Sequence, residues 1–342
     1  MTLRIARSNG TVLAAMAVGT RVFIGLSTDL ETFQNTAWLS ALLGAAFCLP
    51  LLLIAPGVAS KPSSPQIGRT RRAWMLLLAC LFIADASRMA LLLADAVDYA
   101  TMTSIRPIFL LVPSLLALFV SLLANGEGIS GAARLWFRTL PLFILIVICQ
   151  HGRSYNFSWL FPILGPGIAQ ILDGALAAAG WFSVAVTYLA VSSPEPDHRH
   201  GSGRFTLAVC TAAVCASALL ALHAAMLPAQ ASGAATRVFQ LDALISNGRA
   251  TIATQLPMTA ILFAGLLILL LFESFVSAKL LQLVLPRLDG RLCLSISCAA
   301  VLFLSLSGMS EHPYAIWAGR RLFLLGNIPS LCRAKPERSA AH

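Results

Sequence analysis

Apolar runs of about twenty residues, separated by short polar stretches, recur from one end of the chain to the other. A helix of that length spans the hydrocarbon core of a bilayer. By that measure the pattern predicts helices at Thr11–Ser27, Ala37–Ala55, Ala73–Ala94, Pro107–Ala124, Leu135–Gln150, Gln170–Val191, Phe205–Leu227, Gln255–Leu285 and Leu292–Ser307. The eighth is long enough to tilt or to project beyond the membrane. A tenth candidate, Tyr314–Leu331, is interrupted by Arg320 and Arg321 and carries Asn327 and Pro329 near its end, so nine and ten spans both stay open. The runs are continuous rather than alternating, which excludes a β-barrel. They persist to the end of the chain, which speaks against a secretory leader followed by a soluble domain.

Composition agrees with this pattern. Of 342 residues, 58% are hydrophobic and 11% charged, and the mean hydropathy is +0.82. A soluble domain could not solvate such a surface. The expectation is an all-α polytopic membrane protein forming a single integral membrane domain over residues 1–342. The formal charge of +10 is explained by orientation and not by nucleic-acid binding. With a cytoplasmic N-terminus, the inner segments hold Arg4, Arg7, Lys61, Arg69, Arg71, Arg72, Arg134, Arg138, Arg199, Arg204, Arg287 and Arg291. The outer segments up to the ninth helix hold only Arg106, Arg153, Arg237 and Arg249. That is the positive-inside asymmetry. The basic tail (Arg333, Lys335, Arg338) would be cytoplasmic only with a tenth span. Residues 228–254 form the one long loop, on the outer side, and the spacing of Val238, Phe239, Leu241, Leu244 and Ile245 predicts a short amphipathic helix there.

Ionisable residues inside spans are costly in hydrocarbon unless paired or wetted, so they mark candidate sites. Asp85 and Arg88 stand three apart on the third helix, a spacing that fits a mutual ion pair or a polar patch facing a cavity. Arg21 has no acidic residue in its own helix. It needs Asp85, Glu273, water or an anionic ligand, unless it snorkels to the interface. Glu273 lies deep in the eighth helix, whereas Lys279 is expected to snorkel. The eight cysteines sit almost entirely in apolar runs without CxxC spacing, which predicts neither disulfides nor a metal site. Asp197-His198-Arg199-His200 reads as a solvated loop between prolines. There is no HExxH, no GxSxG and no nucleophile–base pair, so neither an enzyme nor a resident cofactor is expected.

Two segments are rich in helix breakers. One is Gly19-Thr20-Arg21 in the first helix. The other is Asn156–Ser183, interrupted by Pro162, Gly165, Pro166, Gly167, Gly174 and Gly180. The topology places residues 150–166 outside the membrane, so Pro162–Gly167 leads into the sixth helix and any break falls in Gly174–Ser183. The two segments occupy corresponding places in two halves of about five helices, as in transporters built from inverted repeats, whose discontinuous helices hold solute near the midplane. The candidate ligand-binding residues are Gly19, Thr20, Arg21, Asp85, Arg88, Gly174, Gly180, Ser183 and Glu273.

Four stretches carry a family resemblance. They are Trp38 at the start of the second helix, with Leu42-Leu43-Gly44 after it; Gly128 followed by Arg134-Leu135-Trp136; Arg106-Pro107 before the fourth helix; and the block Pro162-Ile163-Leu164-Gly165-Pro166-Gly167-Ile168. In this order they resemble the spore germination permeases, the B-type subunits of nutrient germinant receptors in the amino acid/polyamine/organocation (APC) superfamily. Arg88 also falls near a third-helix arginine common in that family. The chain departs from the family where Thr20-Arg21 replaces paired small residues, where no acidic residue follows Gly180, and in a shortened last helix. The resemblance implies a LeuT/APC-like inverted-repeat bundle in the spore inner membrane or bacterial cell membrane. It further implies a small-molecule germinant, an amino acid, as ligand, with an A-type membrane subunit and a C-type lipoprotein as partners. Freed amides at breaks in the first and sixth helices would then hold the amino acid carboxylate. Two other readings stand beside it: a proton-coupled amino acid transporter working alone, and a structural receptor subunit with a degenerate site.

Overall fold

The computed structural model describes residues 7–27, 34–59, 69–101, 106–123, 127–151, 156–161, 167–191, 201–226 and 252–307. Among them are nine α-helices: α1 (Arg7–Ser27), α2 (Ala37–Ala59), α3 (Arg69–Thr101), α4 (Pro107–Leu123), α5 (Glu127–His151), α6 (Ile168–Val191), α7 (Gly201–Met226), α8 (Ile252–Val284) and α9 (Gly290–Ser307). Short 3-10 turns stand at Gln34–Thr36 and Phe157–Leu160. Each helix falls on a segment anticipated from hydropathy. The main differences are at the ends, where α3 runs on to Thr101 and α5 begins at Glu127 rather than Leu135. The 228–254 loop helix and the tenth span lie outside the described residues.

Six of these helices are long and apolar enough to cross a membrane, and α1 and α4 carry shorter apolar stretches. Large apolar side chains point outward all around the bundle, with Phe109, Leu135, Leu207 and Phe303 all more than 60% exposed. Water would not tolerate such a surface, whereas lipid tails are as apolar as these side chains. The protein is a multi-pass helical membrane protein.

Helix α8 is the centre. Within its apolar span Phe263–Val284, 89% of an 18-residue window is buried, and it packs on α3, α1, α9 and α5. The second organising contact is α2 against α6, with α7 packed on both α1 and α2. Small residues make these approaches possible. A Cβ on Gly44 of α2 would stand 2.5 Å from the Ala178 Cβ and 2.8 Å from the Ala175 carbonyl oxygen of α6. In lipid, with no hydrophobic drive between helices, such close backbone contact and interhelical hydrogen bonds hold a bundle together. Ser40 Oγ donates to the Ile171 carbonyl at 3.2 Å, joining α2 to α6. Ser217 Oγ donates to the Trp38 carbonyl at 2.8 Å, joining α7 to α2. Ser305 Oγ donates to the Ser87 carbonyl at 3.0 Å, joining α9 to α3. Ser277 and Ser297 hydroxyls pair between α8 and α9.

Candidate functional site

Four helices bring ionisable and aromatic groups to one buried centre. Arg21 comes from α1, Asp85 from the middle of the α3 span, Trp181 from α6 and Glu273 from the middle of the α8 span. Arg21 Nε donates to Asp85 Oδ2 at 2.5 Å and Nη2 donates to Oδ1 at 2.7 Å. This is a side-on, two-bond ion pair, with side chains only 6% and 10% exposed. Bidentate geometry of this kind suits the planar guanidinium and fixes it in one orientation. The guanidinium also lies 4.7 Å from the centroid of the Trp181 ring, a cation–π contact. The ring itself rests against α1 at Gly25, where any Cβ would collide with it. Gly25 stands four residues, about one turn, beyond Arg21, so a single face of α1 clasps Trp181 through a bare backbone and a cation.

Glu273 is 2% exposed. It interacts electrostatically with Asp85 and Arg21 and lies in side-chain hydrogen-bonding range of Asp85. Two ionisable side chains of the centre keep an open position: Arg21 Nη1 and Glu273 Oε2 are buried with no hydrogen-bond partner. The Trp181 indole N–H and the Ser274 hydroxyl, next to Glu273 in α8, are also buried without partners. Buried polar atoms are normally paired, and one left open in a functional fold is a place where a ligand atom can bind.

Arg21, Asp85 and Glu273, the in-span charges that the sequence singles out, are all gathered here. Both Asp85 oxygens bind Arg21, and Arg88 is half-buried one turn along. Lys279, expected to snorkel, is only 8% exposed and buried in the bundle. The expected helix breaks are corrected too. Helix α1 runs without interruption through Gly19-Thr20-Arg21, and α6 runs through Gly174–Ser183. The glycines there serve packing: Gly19 meets Ala212 of α7, with its would-be Cβ 3.1 Å from the Ala212 Cβ, and Gly174 and Gly180 are buried in α6. Ser183 Oγ donates back to the Gly180 carbonyl at 2.6 Å, within its own helix. No amides are freed at these points to hold a carboxylate.

Gly19 and Thr20 line a cleft between α1, α5 and α7, and the Thr20 side chain also lies against Gly265 of α8. Among the motif residues, Trp38 opens α2, Gly128 and Arg134 lie in the first half of α5, and Gly167 precedes α6 with a φ of +99°, a conformation that favours glycine. Pro162 and Gly165 lie outside the described residues. Trp181 is the site residue that sequence reasoning misses. The available signal is a tryptophan deep in an apolar run beside Gly180, on a helix that also carries breaker residues.

Solved structures share this architecture. The chain is similar to Mhp1, a nucleobase-cation-symport-1 family transporter solved closed with bromovinylhydantoin bound, with a TM-score of 0.63, 13% identity, and coverage of 95% of this chain and 75% of that one. It is also similar to a mutant form of the Eremococcus coleocola manganese transporter, with a TM-score of 0.64, 14% identity, and coverage of 95% and 76%. The fold is that of the LeuT-type carriers. In that architecture the pairing of α1 and α2 with α6 and α7, and of α3 with α8, is the meeting of two repeats, and the charged centre sits where they cross. No protein-family model and no curated protein matches the chain.

Proposed function

We propose that this LeuT-type bundle is a permease-like subunit that binds a small zwitterionic nutrient, an amino acid, between Arg21 and Glu273. The observation that carries the reading is the pair of open positions in the centre. Arg21 Nη1 is an unused donor on a guanidinium, and Glu273 Oε2 is an unused oxygen on a carboxyl group. An α-amino acid presents the complementary pair, a carboxylate and an ammonium on one carbon. Trp181 offers its ring edge and a free indole N–H beside them. Asp85 orients the guanidinium, as a partner that positions rather than binds.

The resemblance to germination permeases supports the setting. In that reading the chain senses its amino acid as the B-type subunit of a germinant receptor in the spore inner membrane, alongside the A-type subunit and the C-type lipoprotein. Sensing requires only that the ligand bind one conformation of the bundle better than another.

The test is a thermal-shift screen of the purified full-length protein against single amino acids. At least one is expected to stabilise the wild type. The Glu273→Gln variant, which keeps the side-chain shape, should lose that shift, and the matching carboxylic acid without the amino group should give none. A screen with no stabilising amino acid overturns the proposal in favour of a degenerate structural subunit. Unchanged stabilisation of Glu273→Gln overturns the assignment of the site. Uptake of the stabilising amino acid into vesicles holding this chain alone would replace the receptor role with that of a stand-alone transporter.

A further inference from the structure

The buried centre holds one guanidinium and two carboxyl groups, and the way they share a proton follows from their geometry. Arg21 commits Nε and Nη2 to the two Asp85 oxygens, at 2.5 Å and 2.7 Å. Each of those oxygens keeps a second lone pair that can accept another bond. Glu273 lies in side-chain hydrogen-bonding range of Asp85. An ionised carboxylate only accepts, so two carboxyl groups bond to each other only through a proton that one of them carries. The side-on bond to Arg21 makes Asp85 the carboxylate, which leaves Glu273 as the acid. Burial agrees. Glu273 is 2% exposed, and an ionised carboxylate at that depth needs a cation of its own, whereas Arg21 is already paired with Asp85.

The surroundings of Glu273 leave this trio to itself. The charges that act on it are those of Asp85 on α3 and Arg21 on α1. Also on α3, Arg88 and Asp95 are half-buried, one turn and nearly three turns beyond Asp85. Arg7 opens α1, some four turns before Arg21. On α5, Arg134 and Arg138 are exposed, as are Arg291 on α9 and Asp173 on α6. Helix α9 adds the buried thiols of Cys293 and Cys298. From α6, the Tyr188 ring packs on Phe272 and Phe275, which flank Glu273 in sequence, with centroids 5.5 and 6.4 Å away. Lys279 is six residues further along α8, about 9 Å along the axis and on a different face.

We infer that in the solute-free centre Glu273 carries a proton and donates it to Asp85, and that the ammonium of the solute takes the place of this proton. The second half rests on the solute reading given above and deepens it. In the exchange the Glu273 O–H bond breaks, its electron pair stays on the carboxylate, and the proton leaves to bulk water. An ammonium N–H then donates to that carboxylate. Each amino acid bound releases one proton, so binding weakens as pH falls. Wherever the free protein holds the proton, linkage sets the loss at about tenfold in affinity for each pH unit.

Infrared spectroscopy reads the proton directly, because un-ionised carboxyl groups and carboxylates absorb at separate positions. The full-length protein is prepared in maltoside micelles, which contain no ester carbonyl, with ordinary glutamate and with glutamate labelled with carbon-13 at the side-chain carboxyl. At neutral pH the solute-free protein should show an un-ionised carboxyl band that moves with the label. The other glutamates of the chain lie outside the apolar runs, so the band reports Glu273. It should be missing in Glu273→Gln, whose amide N–H can take over the bond to Asp85; the label assigns the band in the wild type should that variant not fold. A wild type without the band overturns the shared proton, whatever amino acids bind. An amino acid that stabilises the protein should remove the band, release a proton into weakly buffered solution, and bind about tenfold more weakly for each unit of pH lowered. A stabilising amino acid that leaves both the band and the bulk pH unchanged overturns the exchange while the solute reading stands. A screen with no stabilising amino acid removes the solute reading and the exchange together, and the band alone then decides the proton.

Discussion

Removing one member of the Arg21–Asp85 pair is expected to be far more damaging than removing both. The two side chains are 6% and 10% exposed and share two short hydrogen bonds. Asp85→Leu leaves a guanidinium buried without its counter-ion, and breaking a buried pair from one side costs about 3–5 kcal/mol. Arg21→Met leaves Asp85 beside Glu273 without its guanidinium partner. It also removes the contact with the Trp181 ring, which for a desolvated cation is worth about 2 kcal/mol. Its cost should match or exceed that of Asp85→Leu. If the two acted independently, the double variant would lose roughly 6–10 kcal/mol, the sum of the single costs. Replacing a whole buried pair by apolar residues of similar size is, however, often neutral. Arg21→Met/Asp85→Leu should therefore recover most of the loss. What remains is tested at Glu273, the other carboxyl group beside the pair, by adding Glu273→Gln.

The assay is unfolding of the full-length protein in micelles, followed by helicity and tryptophan emission, across the four corners of the cycle. A double variant whose loss equals the sum of the singles within about 0.5 kcal/mol, the range expected of independent sites, would refute the argument. The same double variant separates folding from function. It should be as stable as the wild type, or nearly so, and bind no amino acid.

Two further predictions concern helix contacts. Gly44→Ala should destabilise the bundle by about 1–3 kcal/mol through overpacking, because the new Cβ would meet Ala178 Cβ at 2.5 Å and backbone atoms of α6 besides; a melting temperature equal to wild type would show that α2 and α6 are not so close. Gly265→Ala should destabilise α8 against α1, where its Cβ would stand 2.8 Å from Thr20 Oγ1. Thr20→Ala should restore most of that loss in the melting curve, because the obstacle is a removable side chain and not backbone.

Hydropathy locates all nine described helices because a membrane span must close its backbone hydrogen bonds within itself, which makes the apolar run and the helix the same object. The charged members of the site are legible for a related reason. Arg21, Asp85 and Glu273 stand out because an ion in hydrocarbon has to be explained. Their pairing is not legible: Asp85–Arg88 is the pair that sequence distance favours, while Arg21 and Asp85 meet only because α1 packs onto α8 alongside α3. Glycine carries two meanings that sequence cannot separate. Gly19, Gly174 and Gly180 look like breaks in the sequence, yet each sits in continuous helix. The missing Cβ at Gly19 admits Ala212, and at Gly25 it admits Trp181.

That distinction changes what the centre can recognise. Where α1 and α6 are broken, backbone amides and carbonyls coordinate the solute, and side chains refine the choice. Here both helices keep their internal hydrogen bonds through the site, so the backbone has nothing to offer. On the proposed reading recognition falls on side chains alone, and the open positions belong to a guanidinium, a carboxyl group, an indole and a hydroxyl. A ligand with no group for either position would leave a buried polar atom unmatched, which carries a desolvation penalty. The same continuity constrains motion. An unbroken α1 cannot hinge at Gly19 or Gly25 without losing helix bonds, so access to Arg21 has to come from movement of the whole helix against α7 and α8. Its surfaces there are the small-residue contacts at Ala212 and Gly265. If the centre takes a solute as proposed, the device that admits it is thus the packing of α1.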